Sequence, residues 1–158
     1  MKETFVLTVE DLPELARKVV GTLSAPEFSR KKRATVIFLD GDLGAGKTTF
    51  TKELAQVLGI KREEVHSPTF ILKKTYGTPH STWKRLVHVD AYRFTHPEES
   101  KVLRLEEDLY NKNTIVVVEW PTKMNYLKPD LEITFRVEDE NTREITVSHE
   151  DDNHEEKQ

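Results

Sequence analysis

Apolar and polar positions recur with two different periods along this chain. Thr4-Phe5-Val6-Leu7-Thr8-Val9 is a short β-rich run. Behind Asp11, the residues Leu12, Leu15, Ala16, Val19, Val20 and Leu23 recur every three or four positions, which predicts an amphipathic helix with one core-facing stripe. Asp11 is the expected N-cap, Pro13 falls in the tolerant first turn, and Glu14 takes the capping-box position. Ala34-Thr35-Val36-Ile37-Phe38-Leu39 is continuously apolar, as a strand buried on both faces must be, so it is expected to be central and parallel. A second helix carries Phe50, Leu54, Val57 and Leu58 and stops at Gly59, a residue suited to the position just past a helix end.

Thr69 to Tyr76 and Arg85 to Asp90 read as strands joined through a turn at Gly77-Thr78-Pro79. Pro97 is placed to open a third helix whose apolar face is Val102, Leu103, Leu105, Leu109 and Tyr110. Ile115-Val116-Val117-Val118 is another buried strand. Leu131, Ile133, Phe135 and Val137 alternate with polar residues, and Ile145 and Val147 do so after a turn at 138–141, which predicts an antiparallel hairpin at a sheet edge. The pattern is α/β: a P-loop NTPase-like, three-layer fold with a mixed, mostly parallel sheet, helices on both faces and an antiparallel C-terminal hairpin.

Composition narrows the class. The 158 residues suit one domain, expected over 1–148, and the apolar runs are far shorter than the ~18 residues of a membrane span. The N-terminal residues have no sustained apolar stretch of the secretory type, and the absence of Cys excludes disulfides, thiolate nucleophiles and Cys-ligated metals. A cytoplasmic setting is the expectation. The net charge of −4 is unevenly spread: residues 138–158 carry −7 and the rest carries +3. Residues 149–158 are therefore expected to form an acidic, disordered tail. The basic run Arg30-Lys31-Lys32-Arg33 could attract RNA phosphate, though such runs are usually just solvated.

The strongest chemical signal is Gly41-Asp42-Leu43-Gly44-Ala45-Gly46-Lys47-Thr48, a full G-x-x-x-x-G-K-[ST] match between a buried strand and a helix. That placement aims backbone N–H groups and the positive helix end at one spot, where a polyphosphate fits. Asp42, Gly44, Ala45, Gly46, Lys47, Thr48 and Thr49 are the expected cradle, with Lys47 reaching the β and γ phosphates and the Thr48 hydroxyl on Mg²⁺. Two apolar strands end in acids, Asp90 and Glu119. Glu119 is the better metal partner and Asp90 the better residue to orient or deprotonate water, although sequence alone leaves these roles exchangeable. Thr69, in Ser67-Pro68-Thr69-Phe70, is either a switch residue for the γ-phosphate or part of a strand-entry turn. His88 reads as a structural polar contact. Trp120 is either a wall of the site or a partner-facing aromatic, and Arg93 either meets phosphate or forms a surface ion pair.

Taken together, Gly-Asp-Leu-Gly-Ala-Gly-Lys-Thr-Thr (41–49), Ser-Pro-Thr-Phe (67–70), His-x-Asp-x-Tyr-Arg (88–93) and Glu-Trp-Pro (119–121) resemble the TsaE family in order and spacing. The resemblance runs from the N-terminal helix to about residue 147. It implies a small bacterial P-loop ATPase of tRNA threonylcarbamoyladenosine synthesis that binds ATP and Mg²⁺ and supports repeated turnover of its partners, the TsaD–TsaB heterodimer. It also implies Lys47 and Thr48 as phosphate and magnesium residues, Thr69 as switch threonine, Asp90 as essential aspartate and Glu119 as second metal carboxylate. Trp120 follows as in the family, and Thr8 to Leu12 and Arg143 match regions flanking the base. A glycine common in the family between 100 and 113 is absent here.

Two other classes compete. A small P-loop kinase would use an Arg-bearing lid, and no Arg-rich lid segment stands in the sequence. A GTP-dependent binding switch would read guanine with Asn-Lys-x-Asp; Asn111-Lys112-Asn113-Thr114 begins that way, but lacks the carboxylate and precedes the strand carrying Glu119. No arginine is placed as a finger, a group worth about 10³ to 10⁵ in rate, so slow hydrolysis alone and faster hydrolysis with partners are expected.

Overall fold

The computed structural model describes residues 1–29, 31–66, 72–94, 96, 98, 101, 103–124 and 126–149. Ser67 to Phe70, with Thr69, lie outside the described residues, as do Pro97, Val102 and all of the acidic tail except His149. The described residues form seven strands: β1 (Lys2–Leu7), β2 (Thr35–Gly41), β3 (Lys73–Gly77), β4 (Arg85–Asp90), β5 (Thr114–Glu119), β6 (Leu131–Val137) and β7 (Arg143–Ser148). The helices are α1 (Leu12–Leu23), α2 (Pro26–Ser29), α3 (Lys47–Val57) and α4 (Leu105–Leu109). No helix among the described residues is long and apolar enough to cross a membrane.

One sheet runs in the order β1-β7-β6-β2-β5-β4-β3. Its four middle strands, β6, β2, β5 and β4, are parallel, and antiparallel pairs flank them. The expected α/β fold is therefore present. Every residue of β5 is buried and β2 is buried from Thr35 to Asp40's neighbour Leu39, as unbroken apolar runs require when both faces are covered. Successive β2 residues serve opposite faces: Ile37 and Leu39 pack with α1 and α3, whereas Val36 and Phe38 pack with Leu105 of α4 and Met124.

Helix α1 buries all six residues of its predicted stripe. Asp11 is its N-cap residue as expected, but the capping box lies one turn earlier than expected. A 3-10 turn at Val9–Asp11 leads into the helix, and Asp11 Oδ2 accepts hydrogen bonds from the backbone and hydroxyl of Thr8 at 2.9 and 3.0 Å, so the capping acid is Asp11 and not Glu14. The C-terminal hairpin is also placed differently. It is not the sheet edge: β6 pairs with central β2, and β1 covers β7 with Leu7 opposite Arg143. The third helix is short because Arg104, at φ +52, breaks the segment before Leu105, and Tyr110 is exposed, outside the apolar face assigned to it. That break lies in the stretch where the resembling family carries glycine. Leu72, at φ +66, interrupts the strand expected from Thr69, so β3 begins at Lys73.

Two residues of the basic run before β2, Lys31 and Arg33, anchor it to Asp130. Buried Asp130 accepts from Lys31 Nζ at 2.7 Å, from Arg33 through two nitrogens at 3.0 and 3.1 Å, and from the Val36 backbone at 2.8 Å. This ties the entry of β2 to the entry of β6. Asp130→Ala leaves the Val36 N–H and two cations without their acceptor; it should cost about 3 kcal/mol, read as a lowered urea midpoint.

Candidate functional site

The loop between β2 and α3 has no freedom to carry larger residues at its first position. A Cβ on Gly41, at φ +146, would lie 2.5 Å from the carbonyl oxygen of Phe135 on β6. Gly46, at φ +112, turns the chain into α3 with no side-chain cap, which leaves the first-turn N–H groups open to an anion. From behind, Arg143 holds the loop: Nε donates to Ala45 O at 3.2 Å and Nη2 to Gly44 O at 3.5 Å, while Nη1 donates to Asp139 O and Thr142 O in the hairpin turn. Thr8, at the end of β1, lies beside Arg143 because Leu7 pairs with it.

Register brings the two acids together. Asp90 and Glu119 are paired at the carboxyl ends of parallel β4 and β5, and Leu39 of β2 pairs with Glu119 on the other side. Glu119 Oε1 accepts from Thr48 Oγ1 at 3.1 Å, and its Oε2 accepts from His88 Nε2 at 2.9 Å. Asp90 Oδ1 accepts from the Tyr92 backbone at 2.9 Å. Burial, with the nearby Glu119 charge, holds the Asp90 carboxyl above the usual carboxylate range even though the Tyr92 N–H and Lys47 oppose the shift.

Lys47 is buried and turned back on its own loop. Its ammonium donates to Gly41 O and sits 3.6 Å from the centre of the Trp120 ring. Burial pulls its pKa down, while Glu119, Asp40, Asp90 and Asp42 pull it up less strongly. Trp120 adopts φ +58, a conformation strained for a bulky residue, with its N–H donated to Leu39 O at 3.2 Å and its ring 5.0 Å from that of Tyr92. It is thus a wall of the site.

These residues enclose a cleft of about 270 Å³. Gly44, Gly46, Lys47, Thr48, Thr49, Asp90, Glu119 and Trp120 all line it, as does Arg93. Asp42 and Ala45 shape the loop without lining the cleft, Ala45 N–H donating to Asp42 O at 3.0 Å, and Arg143 lies behind it. Leu43 and Tyr92 line the cleft but escaped sequence reasoning. Tyr92 stood inside the His-x-Asp-x-Tyr-Arg block, whereas nothing local marks Leu43. The Asn111 to Asn113 turn precedes β5 and so lies at the sheet edge opposite Glu119, away from the cleft. The Thr48 hydroxyl and the Glu119 carboxylate are hard oxygen donors 3.1 Å apart, a set that suits Mg²⁺.

A family model described as "Threonylcarbamoyl adenosine biosynthesis protein TsaE" matches residues 7–145. The chain belongs to the TsaE family. Among TsaE proteins, that of Rickettsia bellii is 31% identical over 150 residues, covering 94% of this chain and 95% of the relative, and that of Aquifex aeolicus is 34% identical over 149 residues, covering 93% and 96%. The Bacillus subtilis TsaE is 40% identical over 119 residues, or 74% of this chain and 71% of its own length. The fold is similar to the crystal structure of Bacillus subtilis YdiB, with a TM-score of 0.66 at 28% identity, covering 94% of this chain and 86% of that one.

Two outcomes follow for this TsaE-family site. Because folding raises the Asp90 pKa, ionising Asp90 opposes folding, and its contribution to stability is present at low pH and lost as pH rises through the folded value. Asp90→Asn should therefore raise the melting temperature at neutral pH, and the gain should vanish as the pH is lowered through the carboxylate range. Arg143→Gln frees the Ala45 and Gly44 carbonyls and should cost about 1 kcal/mol, read as a lowered urea midpoint.

Proposed function

We propose that this chain is the ATP-hydrolysing component of tRNA threonylcarbamoyladenosine synthesis, acting with the TsaD–TsaB heterodimer and meeting tRNA through that complex. The observation that carries the reading is the convergence of the P-loop residues Lys47 and Thr48 with Asp90 and Glu119 at the ends of two adjacent parallel strands. The printed names of the relatives, tRNA threonylcarbamoyladenosine biosynthesis proteins, supply the process.

In this reading the open N–H groups of the loop and the start of α3 bind the β and γ phosphates. Lys47 leaves the Gly41 carbonyl and the Trp120 face to neutralise the phosphates, and Trp120 and Tyr92 exclude water from one side. Thr48 and Glu119 hold Mg²⁺, which when bound draws charge from the phosphate oxygens. Asp90 orients the attacking water and accepts its proton; a carboxyl held above the ordinary range is a better base near neutral pH than an unperturbed one. The switch role of Thr69 belongs to this proposal as well, without support from the described residues.

Slow turnover without partners is part of the reading. Arg143 is occupied by carbonyls of the loop and the hairpin turn, and Lys47 is engaged inside the protein before any phosphate arrives. The placement of Asn111 to Asn113 at the far edge of the sheet favours ATP hydrolysis over a guanine-reading switch.

Phosphate release from Mg-ATP, measured with and without TsaD–TsaB, should rise with the partners, and Lys47→Ala should reduce both rates to background. Asp90→Ala should lower turnover far more than ATP binding. Release that ignores the partners, or transfer of the phosphoryl group to an added metabolite, overturns the reading and leaves the kinase class.

A further inference from the structure

Glu119 is held at both carboxylate oxygens, and the two holds differ in kind. Thr48, at Oε1, belongs to the P-loop helix and faces the cleft. His88, at Oε2, comes from the neighbouring strand two residues before Asp90 and is fully buried. His88 pairs with Val117 on β5 and Lys74 on β3, and it does not line the cleft.

Packing does not explain an imidazole here. His88 Nδ1 is buried with no hydrogen-bond partner among the described residues, so the ring is placed among strands at the cost of an unpaired polar atom. Among the described residues the one hydrogen bond of its side chain goes to Glu119. An apolar side chain would fill the space without that cost. What it could not do is occupy Oε2. A carboxylate free at that oxygen can rotate and offer either oxygen, or both, to whatever enters the cleft. With Oε2 engaged behind the sheet edge, Oε1 is the oxygen left beside Thr48.

We propose that His88 is a positioning residue for metal binding: its Nε2–H on Glu119 Oε2 fixes the carboxylate so that Oε1, together with the Thr48 hydroxyl, forms the cation-binding pair. The assignment rests on the magnesium-dependent nucleotide site proposed above. It is an inverted form of the arrangement in which a carboxylate orients a ligating histidine, and outer partners of that kind typically matter 10- to 100-fold for metal affinity.

The test is equilibrium binding of a non-hydrolysable ATP analogue to the full chain while Mg²⁺ is titrated, with no activity measured. His88→Leu should raise the Mg²⁺ concentration for half-maximal binding about tenfold or more, and binding of the analogue in metal chelator should stay unchanged. His88→Gln, whose amide nitrogen can take the place of Nε2, should restore the wild-type Mg²⁺ dependence, whereas the shorter His88→Asn should not. That pair decides the matter if His88→Leu fails to fold. In a Glu119→Gln background, adding His88→Leu should change nothing further, because the histidine acts through that carboxylate.

A Mg²⁺ curve for His88→Leu that superimposes on a Mg²⁺-dependent wild type overturns the His88 assignment alone. Equal loss with and without metal, or multiplied losses in the double variant, also overturns it and makes His88 a general support of the fold. Wild-type binding that is indifferent to Mg²⁺ overturns the proposed function and this assignment together.

Discussion

Parallel pairing of β2 with β5, and of β5 with β4, is the constraint on which the cleft depends. These three strands end level: Leu39 is opposite Glu119, and Glu119 is opposite Asp90. A shift of one residue in either pairing would turn Glu119 or Asp90 to the other face of the sheet, because side chains alternate along a strand. Thr48 then closes the arrangement by linking the first turn of α3 to the end of β5. Buried apolar contacts on both faces hold the register, so the polar site is set by the least polar part of the molecule.

Around that frame, the P-loop is held from two directions. Phe135 on β6 comes so near Gly41 that no larger residue fits, and Arg143 on β7 grips the carbonyls of Gly44 and Ala45. Lys47 and Trp120 cover each other at the mouth. The cleft is thus stiff where phosphate would bind and self-occupied where its lysine would act.

Much of this was legible in local sequence, and several of the limits share a physical cause. The α1 stripe was readable residue by residue because helical periodicity is a local property. The P-loop and the acids at strand ends were readable for the same reason: each chemical residue abuts an apolar run whose geometry is nearly obligatory. Several of the misread features depend on distant partners. Hairpin strand β7 looked like an edge because its neighbour β1 lies at the other end of the chain. Lys31 and Arg33 looked solvated because their acceptor, Asp130, is nearly a hundred residues away. Tyr110 looked buried from its spacing, but α4 ends at Leu109 and Tyr110, its C-cap, is exposed. The structural contact expected of His88 was right in kind, but its partner, Glu119, belongs to another strand.

The β1–β7 pairing also bears on how the molecule is made. Lys2 lies opposite Ser148, and the Met1 amine donates to the His149 carbonyl at 2.8 Å. Among the described strands β1 is the earliest in the chain, and its neighbour in the sheet, β7, is the latest. The parallel centre and the far edge have all their residues available earlier. The β1–β7 pairing therefore closes a loop of nearly the whole described chain, the contact with the highest loop-closure cost in the sheet. Of the described strands, the earliest in the chain can pair only once the latest has been made.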